Sequence, residues 1–221
     1  MDLTSFFLLF SGVAWSIVYI ASIQIGVRHK TYAMPFWALA LNIAWECLHA
    51  TLGLRAAGLS LQIGINFAWF LLDLGLLYTY FRFGRKYFPA QLPKPRFYLW
   101  GIVTLISAFA VQYIFIVEFG LKMAAVYSAF LQNLLMSVLF IVMLVQRNSS
   151  DGQSLLIAIS KCVGTLAPTI LMGIVGIPGA LEPNRLVLVV GGLTFIFDLA
   201  YILMLAATVK KEKSVMPGNA G

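Results

Sequence analysis

Charge is scarce in this chain. Of its 221 residues, 10% are Asp, Glu, Lys or Arg and 61% are hydrophobic, whereas an ordinary soluble domain is about a quarter charged and about half apolar. A soluble fold of this length would have too few polar residues to cover its surface. A soluble enzyme, a nucleic-acid-binding module and a disordered tail are therefore excluded as readings of the whole chain. Cysteine is nearly absent as well. Cys47 and Cys162 both lie in apolar stretches, so no disulfide framework is implied. The histidines are His29 and His49, too few for a His-rich metal site. No Asp-rich Mg²⁺ motif, P-loop, G-x-S-x-G or Cys/His cluster with metal spacing occurs. No metal or cofactor is implied.

What is abundant is apolar sequence in runs of about 20 residues, the length of a membrane-crossing helix. Seven such spans are predicted: Thr4 to Val27, Met34 to Leu52, Ser60 to Arg82, Phe97 to Val117, Ala124 to Gln146, Ser154 to Gly176 and Arg185 to Val209. The connections are short, the longest being the basic, Pro-containing stretch from Phe83 to Arg96. The expected fold class is all-α: a polytopic membrane protein, with residues 1–213 forming a single seven-transmembrane-helix bundle and residues 214–221 a short disordered cytoplasmic tail. The first span lacks a basic n-region and is longer than a typical h-region, so it is read as a retained helix rather than a signal peptide. The last span contains no lysine, which leaves a rhodopsin-type Schiff base without an anchor there.

The basic residues set the expected orientation. Arg28, Lys30, Arg82, Arg85, Lys86, Lys94, Arg96, Arg147, Lys210, Lys211 and Lys213 fall on one side of a seven-span layout, and Arg55, Lys122 and Arg185 on the other. This bias places the N-terminus outside and the C-terminus in the cytoplasm. It also accounts for the net charge of +7 without nucleic acid as a partner. Lys161 falls inside span 6. It is expected to snorkel to the cytoplasmic interface from a span that begins a turn or two late; an intramembrane functional group is the alternative. Pro168 is expected to kink this helix, and Pro178 and Pro183 with Gly176 and Gly179 to mark the outer turn before span 7.

Of the eight acidic residues, Asp2, Glu118, Asp151, Glu182 and Glu212 sit at termini, span ends or loops. Glu46, Asp73 and Asp198 lie inside spans 2, 3 and 7. An ionisable group at that depth costs roughly 2.5–3.5 kcal/mol to insert, which makes it a functional candidate by default. Their depths agree, so the three carboxyl groups could converge near the midplane. With no intramembrane Arg beside them, removal from water favours keeping at least one protonated at neutral pH.

Asn42, Glu46 and His49 share one face of helix 2, with Trp45 alongside; Asp198 has Thr194 and Tyr201 a turn away. Interhelical hydrogen bonding is the plain alternative for these groups. Trp15, Tyr19, Trp45, Trp69, Tyr113, Tyr127 and Tyr201 are the deep aromatics. If they face inward, they line an apolar cavity whose π faces favour cations. Trp37, Tyr98 and Trp100 fit an interfacial belt.

The segment Asn42-Ile43-Ala44-Trp45-Glu46, with Asp198 in the last helix of a short seven-helix chain, resembles the integral-membrane terpene cyclases of fungal meroterpenoid and indole-diterpenoid pathways and their bacterial, drimentine-type relatives. The resemblance extends over essentially the whole chain in length and helix number. It implies a metal-free, acid-initiated cyclisation of a lipophilic prenylated substrate, started by protonating a terminal alkene or epoxide. The short chain favours the alkene.

Carried over by motif, Glu46 and Asp198 are the essential acids, with Asp73 as a less specific third. On this reading Glu46 delivers the proton, and Asp198 is its hydrogen-bond partner or a second acid. Asp73, Asn42 and Tyr201 tune the pair, and His49, Trp15, Tyr19, Trp45, Trp69 and Tyr127 complete the substrate cavity. The implied location is an integral one: the cell membrane of a bacterium or an endoplasmic-reticulum-type membrane of a fungus. An upstream prenyltransferase would make such a substrate but is not required as a bound partner. Two other classes use the same residues. A small transporter would bind substrate or proton at midplane carboxylates, and a receptor or assembly protein would use them only to pair helices.

Overall fold

The computed structural model describes residues 2–215. Six α-helices make up nearly all of it: α1 (Leu3–Arg28), α2 (Phe36–Ala57), α3 (Leu61–Phe83), α4 (Lys94–Arg147), α5 (Leu155–Ile170) and α6 (Arg185–Val215). A 3-10 turn, Gly84–Tyr87, extends α3, and a π-helical turn, Leu171–Val175, extends α5. Asp2 and Ser60 cap α1 and α3 by accepting hydrogen bonds from the backbone N–H groups of Ser5 and Ile63, and Ser154 caps α5 through Ile157. Each satisfies a donor that the first turn of a helix leaves free. Ser214 and Val215, expected in the tail, are the end of α6; the rest of the expected tail lies outside the described residues.

Seven spans were expected and six helices are present, because the fourth and fifth spans are the two arms of α4. A straight helix of its 54 residues would be about 80 Å long. It breaks at Gly120, whose φ of 69° and ψ of 158° fall in a region open essentially to glycine alone. The arms fold back on each other. Gln112 Nε2 donates to Gln132 Oε1 at 2.7 Å, although 20 residues of continuous helix would hold them about 30 Å apart.

Helix contacts close a ring in the order α1, α3, α2, α4, α6, α5 and back to α1. The first arm of α4 stands outside it, where Ala108 packs on Ala40 and Ala44 of α2. Apolar side chains cover the outside of the ring, with Leu71 66% and Leu203 71% exposed. Such a surface is stable against lipid and not against water. Five elements (α1, α3 with its 3-10 turn, α4, α5 with its π turn, and α6) are long and apolar enough to cross a membrane. Helix α2, which carries Asn42, Glu46 and His49, is not one of these five and lies between α3 and α4.

At the basic end the ring is plugged. Phe36 stacks on Tyr80 at 3.7 Å, Phe97 packs beside them, and the Arg147 guanidinium lies between the rings of Tyr32 and Tyr87 at 4.3 and 4.1 Å. At the other end the ring is open. There Pro168, which has no N–H to give, leaves the carbonyl of Gly164 without its helical partner. The Ser11 hydroxyl of α1 donates to it instead, at 2.7 Å, and the helix continues into the π turn.

Candidate active site

A cavity of about 500 Å³ runs down the axis of the ring from the open end, within the range of small-molecule sites. Its rim includes Gly53, Ser60, Leu121, Lys122 and Ile177, and its floor Tyr19, Asn42, Glu46 and Gln132. Six residues expected to bind substrate line it: Trp15, Tyr19, Asn42, Trp45, His49 and Trp69. The pattern was legible because each helix places them at three- and four-residue intervals on one face.

Glu46 lines the floor and is 3% exposed. The Tyr19 hydroxyl donates to its Oε1 at 2.6 Å, and Asn42 Nδ2 donates to the Tyr19 oxygen at 3.1 Å. Asn42 is held in turn by Gln132 Nε2 at 3.0 Å, and Gln132 by Gln112. This chain of neutral amides fixes the tyrosine and hence the carboxyl. Asp73 of α3, fully buried, lies beside Glu46. No N–H or hydroxyl group bonds either Asp73 oxygen. Two neighbouring carboxyl groups out of water cannot both carry charge cheaply, so the arrangement suits an acid that keeps a proton, facing an apolar chamber.

The walls are aromatic. Trp15 and Trp69 flank Tyr19 with ring centroids 6.2 and 6.1 Å away, and Trp45 lies 4.8 Å from His49. Two of the indole N–H groups are occupied elsewhere, Trp45 with the carbonyl of Ala125 at 3.1 Å and Trp69 with Ser16 Oγ at 3.3 Å.

Three expected site residues lie elsewhere. Asp198 does not line the cavity and is not the partner of Glu46. Its Oδ1 accepts from Lys161 Nζ at 2.6 Å in a pair whose side chains are both 1% exposed. Lys161 does not snorkel: it begins well inside α5, and a second hydrogen bond to Ser137 Oγ at 2.6 Å holds its ammonium between α4, α5 and α6. A lysine that finds a carboxylate at membrane depth has no reason to reach for water. Tyr201 packs on Phe140 and donates to Gln153 at 2.9 Å, below the cavity. Tyr127 accepts from Asn184 Nδ2 at 3.1 Å, outside it. Sequence reasoning missed Gln112, Gln132, Asn133 and Thr165. The signal was there for the amides, since side-chain amides inside apolar spans need partners.

Comparison with known proteins identifies the family. The family model of Pyr4-like transmembrane terpene cyclases matches residues 1–212. The Pyr4-family terpene cyclase mfmH of Annulohypoxylon moriforme is 30% identical over 163 residues, covering 71% of this chain and 64% of the relative. The terpene cyclase ascF of Acremonium egyptiacum is 30% identical over 172 residues, covering 71% and 62%. The terpene cyclase pyr4 of Aspergillus fumigatus is 29% identical over 160 residues, covering 72% and 65%. The chain thus spans a little under two thirds of the length of these relatives. No solved structure matches it significantly. Embedded in its membrane by long apolar helices, the chain belongs to the family of Pyr4-like transmembrane terpene cyclases.

Proposed function

We propose that this chain is itself a terpene cyclase, which folds a lipophilic prenylated substrate into the cavity and starts its cyclisation with a proton from Glu46. The observation that carries the reading is the acid pair at the floor of an aromatic chamber: Glu46 faces the cavity, with Asp73 behind it and the Tyr19 hydroxyl on Oε1.

The terminal alkene of the prenyl chain takes the Glu46 proton. Its π pair forms the new C–H bond, and the tertiary carbon left positive is attacked by the next double bond. On an epoxide the same proton goes to oxygen and the C–O bond breaks. The carboxylate left behind is held by the Tyr19 O–H and by the proton on Asp73. The π faces of Trp15, Tyr19 and Trp69 favour the migrating cation without bonding to it. The plugged basic end keeps bulk water from the floor. In this scheme Asp198 serves as counter-ion to Lys161, not as the initiating acid.

The layout proposed is seven crossings, counting each arm of α4, with the N-terminus outside and the C-terminus cytoplasmic. The basic plug supports this orientation, which opens the cavity to the outer leaflet.

The test is product analysis by mass spectrometry and NMR after offering farnesylated indoles and phenols, with and without a terminal epoxide. A product of unchanged mass with fewer alkenes is expected from the native chain and not from Glu46→Gln. Equal conversion by that variant would overturn the assignment.

A further inference from the structure

Helices α1 and α3 run in the same direction, with Arg28 and Arg82 at their basic ends, and they pack closely along the inner half of their seam. Trp69 Nε1 donates to Ser16 Oγ at 3.3 Å, and the Trp69 ring lies 6.1 Å from that of Tyr19. Further in, a methyl added to Gly75 would stand 3.0 Å from Ile23, and one added to Gly26 would stand 2.8 Å from Thr79. The α1 residues of this contact, Ser16, Tyr19, Ile23 and Gly26, recur at three- and four-residue intervals, the spacing of one helix face.

One turn further out the same face is open. Gly12 continues the series four residues before Ser16, yet a methyl added there would meet nothing within 4 Å. On α3, Ile65 and Ala68 continue the face of Leu72, Gly75 and Thr79, and Ala68 is exposed where Thr79 is buried. The cavity lies behind this gap. Leu8, Ser11 and Trp15 of α1 and Asn66 and Trp69 of α3 line it on either side, and Leu8 is nonetheless 40% exposed. Leu9 on α1 and Leu71 on α3, both exposed, give the gap apolar outer lips. The mouth at the end of the ring is different: it is bordered by Ser60 and by Lys122, whose ammonium donates to the carbonyl of Ala180.

We propose that this gap between α1 and α3, with Gly12 and Ala68 on its two sides, is the door by which the prenyl tail of the substrate passes from the lipid into the cavity, an inference that rests on the cyclase reading. A prenyl chain dissolved in the bilayer would have to bring its carbons into water to reach the polar mouth, at a cost that grows with the apolar area exposed. Through the gap it exchanges lipid for Trp15 and Trp69 without meeting water. Tyr19 is seven residues beyond Gly12, about 10 Å along the helix. A chain that enters tail-first therefore brings its terminal alkene down to the Glu46 floor while its head group stays near the mouth. Gly12 and Ala68 touch no reacting atom; being small, they keep the passage wide.

The experiment reads ligand exchange by the full chain in nanodiscs. The probe is a farnesylated nitrophenol whose terminal alkene is reduced, so that the bond protonated first is absent; when bound it quenches the fluorescence of Trp15 and Trp69. Excess farnesylphenol, reduced in the same way, displaces it, and the recovery of fluorescence gives the rate. Gly12→Phe and Ala68→Phe each put a ring in the gap. Both are expected to slow displacement by about tenfold with equilibrium affinity within about twofold of native, because a narrowed door slows entry and exit alike. Ile17→Phe, on an exposed position of α1 turned away from α3, exchanges at the native rate. Native exchange rates in both Gly12→Phe and Ala68→Phe overturn the inference alone. So does an affinity that falls in step with the rate, the mark of a filled cavity instead of a narrowed door. No cyclised product from folded native protein given farnesylated phenol, plain and epoxidised, overturns the cyclase reading, and this inference with it.

Discussion

Lys161 Nζ lies 2.6 Å from Asp198 Oδ1, and neither side chain reaches solvent or the cavity. A carboxylate of the last helix and a lysine of α5 thus neutralise each other at membrane depth, with Ser137 of α4 as the third member. Removing one member of a buried pair strands a charge, at about 3–5 kcal/mol, whereas replacing both by apolar groups is close to neutral.

Lys161→Met and Asp198→Asn are therefore each expected to lower the thermal unfolding temperature sharply in detergent. The double change Lys161→Met with Asp198→Leu is expected to recover most of the loss. Any fall in activity of the single variants should then follow the loss of folded protein. A double variant no more stable than either single would show that the pair is not the lock described.

At the cavity floor, Glu46→Gln preserves shape and removes the transferable proton. Turnover should fall by about 10²-fold or more, the usual weight of a positioned acid, with unfolding temperature nearly unchanged. Tyr19→Phe deletes the hydroxyl that bonds Glu46 Oε1. A hydrogen bond to a charged acceptor is worth about 1.5–3 kcal/mol, so this variant should lose about tenfold to a hundredfold in kcat. A Tyr19→Phe enzyme with native kcat would remove the tyrosine from the mechanism.

Gly120 sets the fold-back of α4. Gly120→Ala places a Cβ in a conformation that side chains avoid, at about 1–3 kcal/mol. Nothing stands within 4 Å of the added carbon, so the whole effect is backbone strain. A lowered unfolding temperature with an unchanged far-ultraviolet helix signal is the expected result.

Asp151 should make the loop between α4 and α5 sensitive to acid. Burial disfavours the charged form of Asp151, but the Tyr87 hydroxyl, Lys86 at 3.3 Å and Arg147 outweigh it and hold the carboxyl below its ordinary value of 3.8. A lowered carboxyl stabilises the folded state above that ordinary value, and the contribution is lost as the pH falls through the folded one. Unfolding temperature measured from pH 7 to pH 3 should therefore drop less steeply in Asp151→Asn than in the native protein. Parallel curves would mean that the carboxylate contributes nothing there.

The membrane class, the helical spans and most of the cavity wall were legible in the sequence. Each depends on a local quantity: the length of an apolar run, the three- and four-residue spacing on one helix face, the cost of a bare acid in lipid. Glu46 was legible for that reason, as were Trp15, Tyr19, Asn42, Trp45, His49 and Trp69. The two arms of α4 were read as separate spans from their apolar runs alone, and Gly120, where the helix breaks between them, gave no signal of its own.

What only the tertiary structure decided is which acid meets which partner. Asp73 and Asp198 look alike in sequence, each an isolated carboxyl in mid-helix. Ring order sets them apart, because α3 brings Asp73 to Glu46 while α6 carries Asp198 to Lys161. Helix rotation and neighbour order are fixed by packing summed over the whole bundle. No window of sequence contains that sum, and so the neighbours of these two acids belong to the fold.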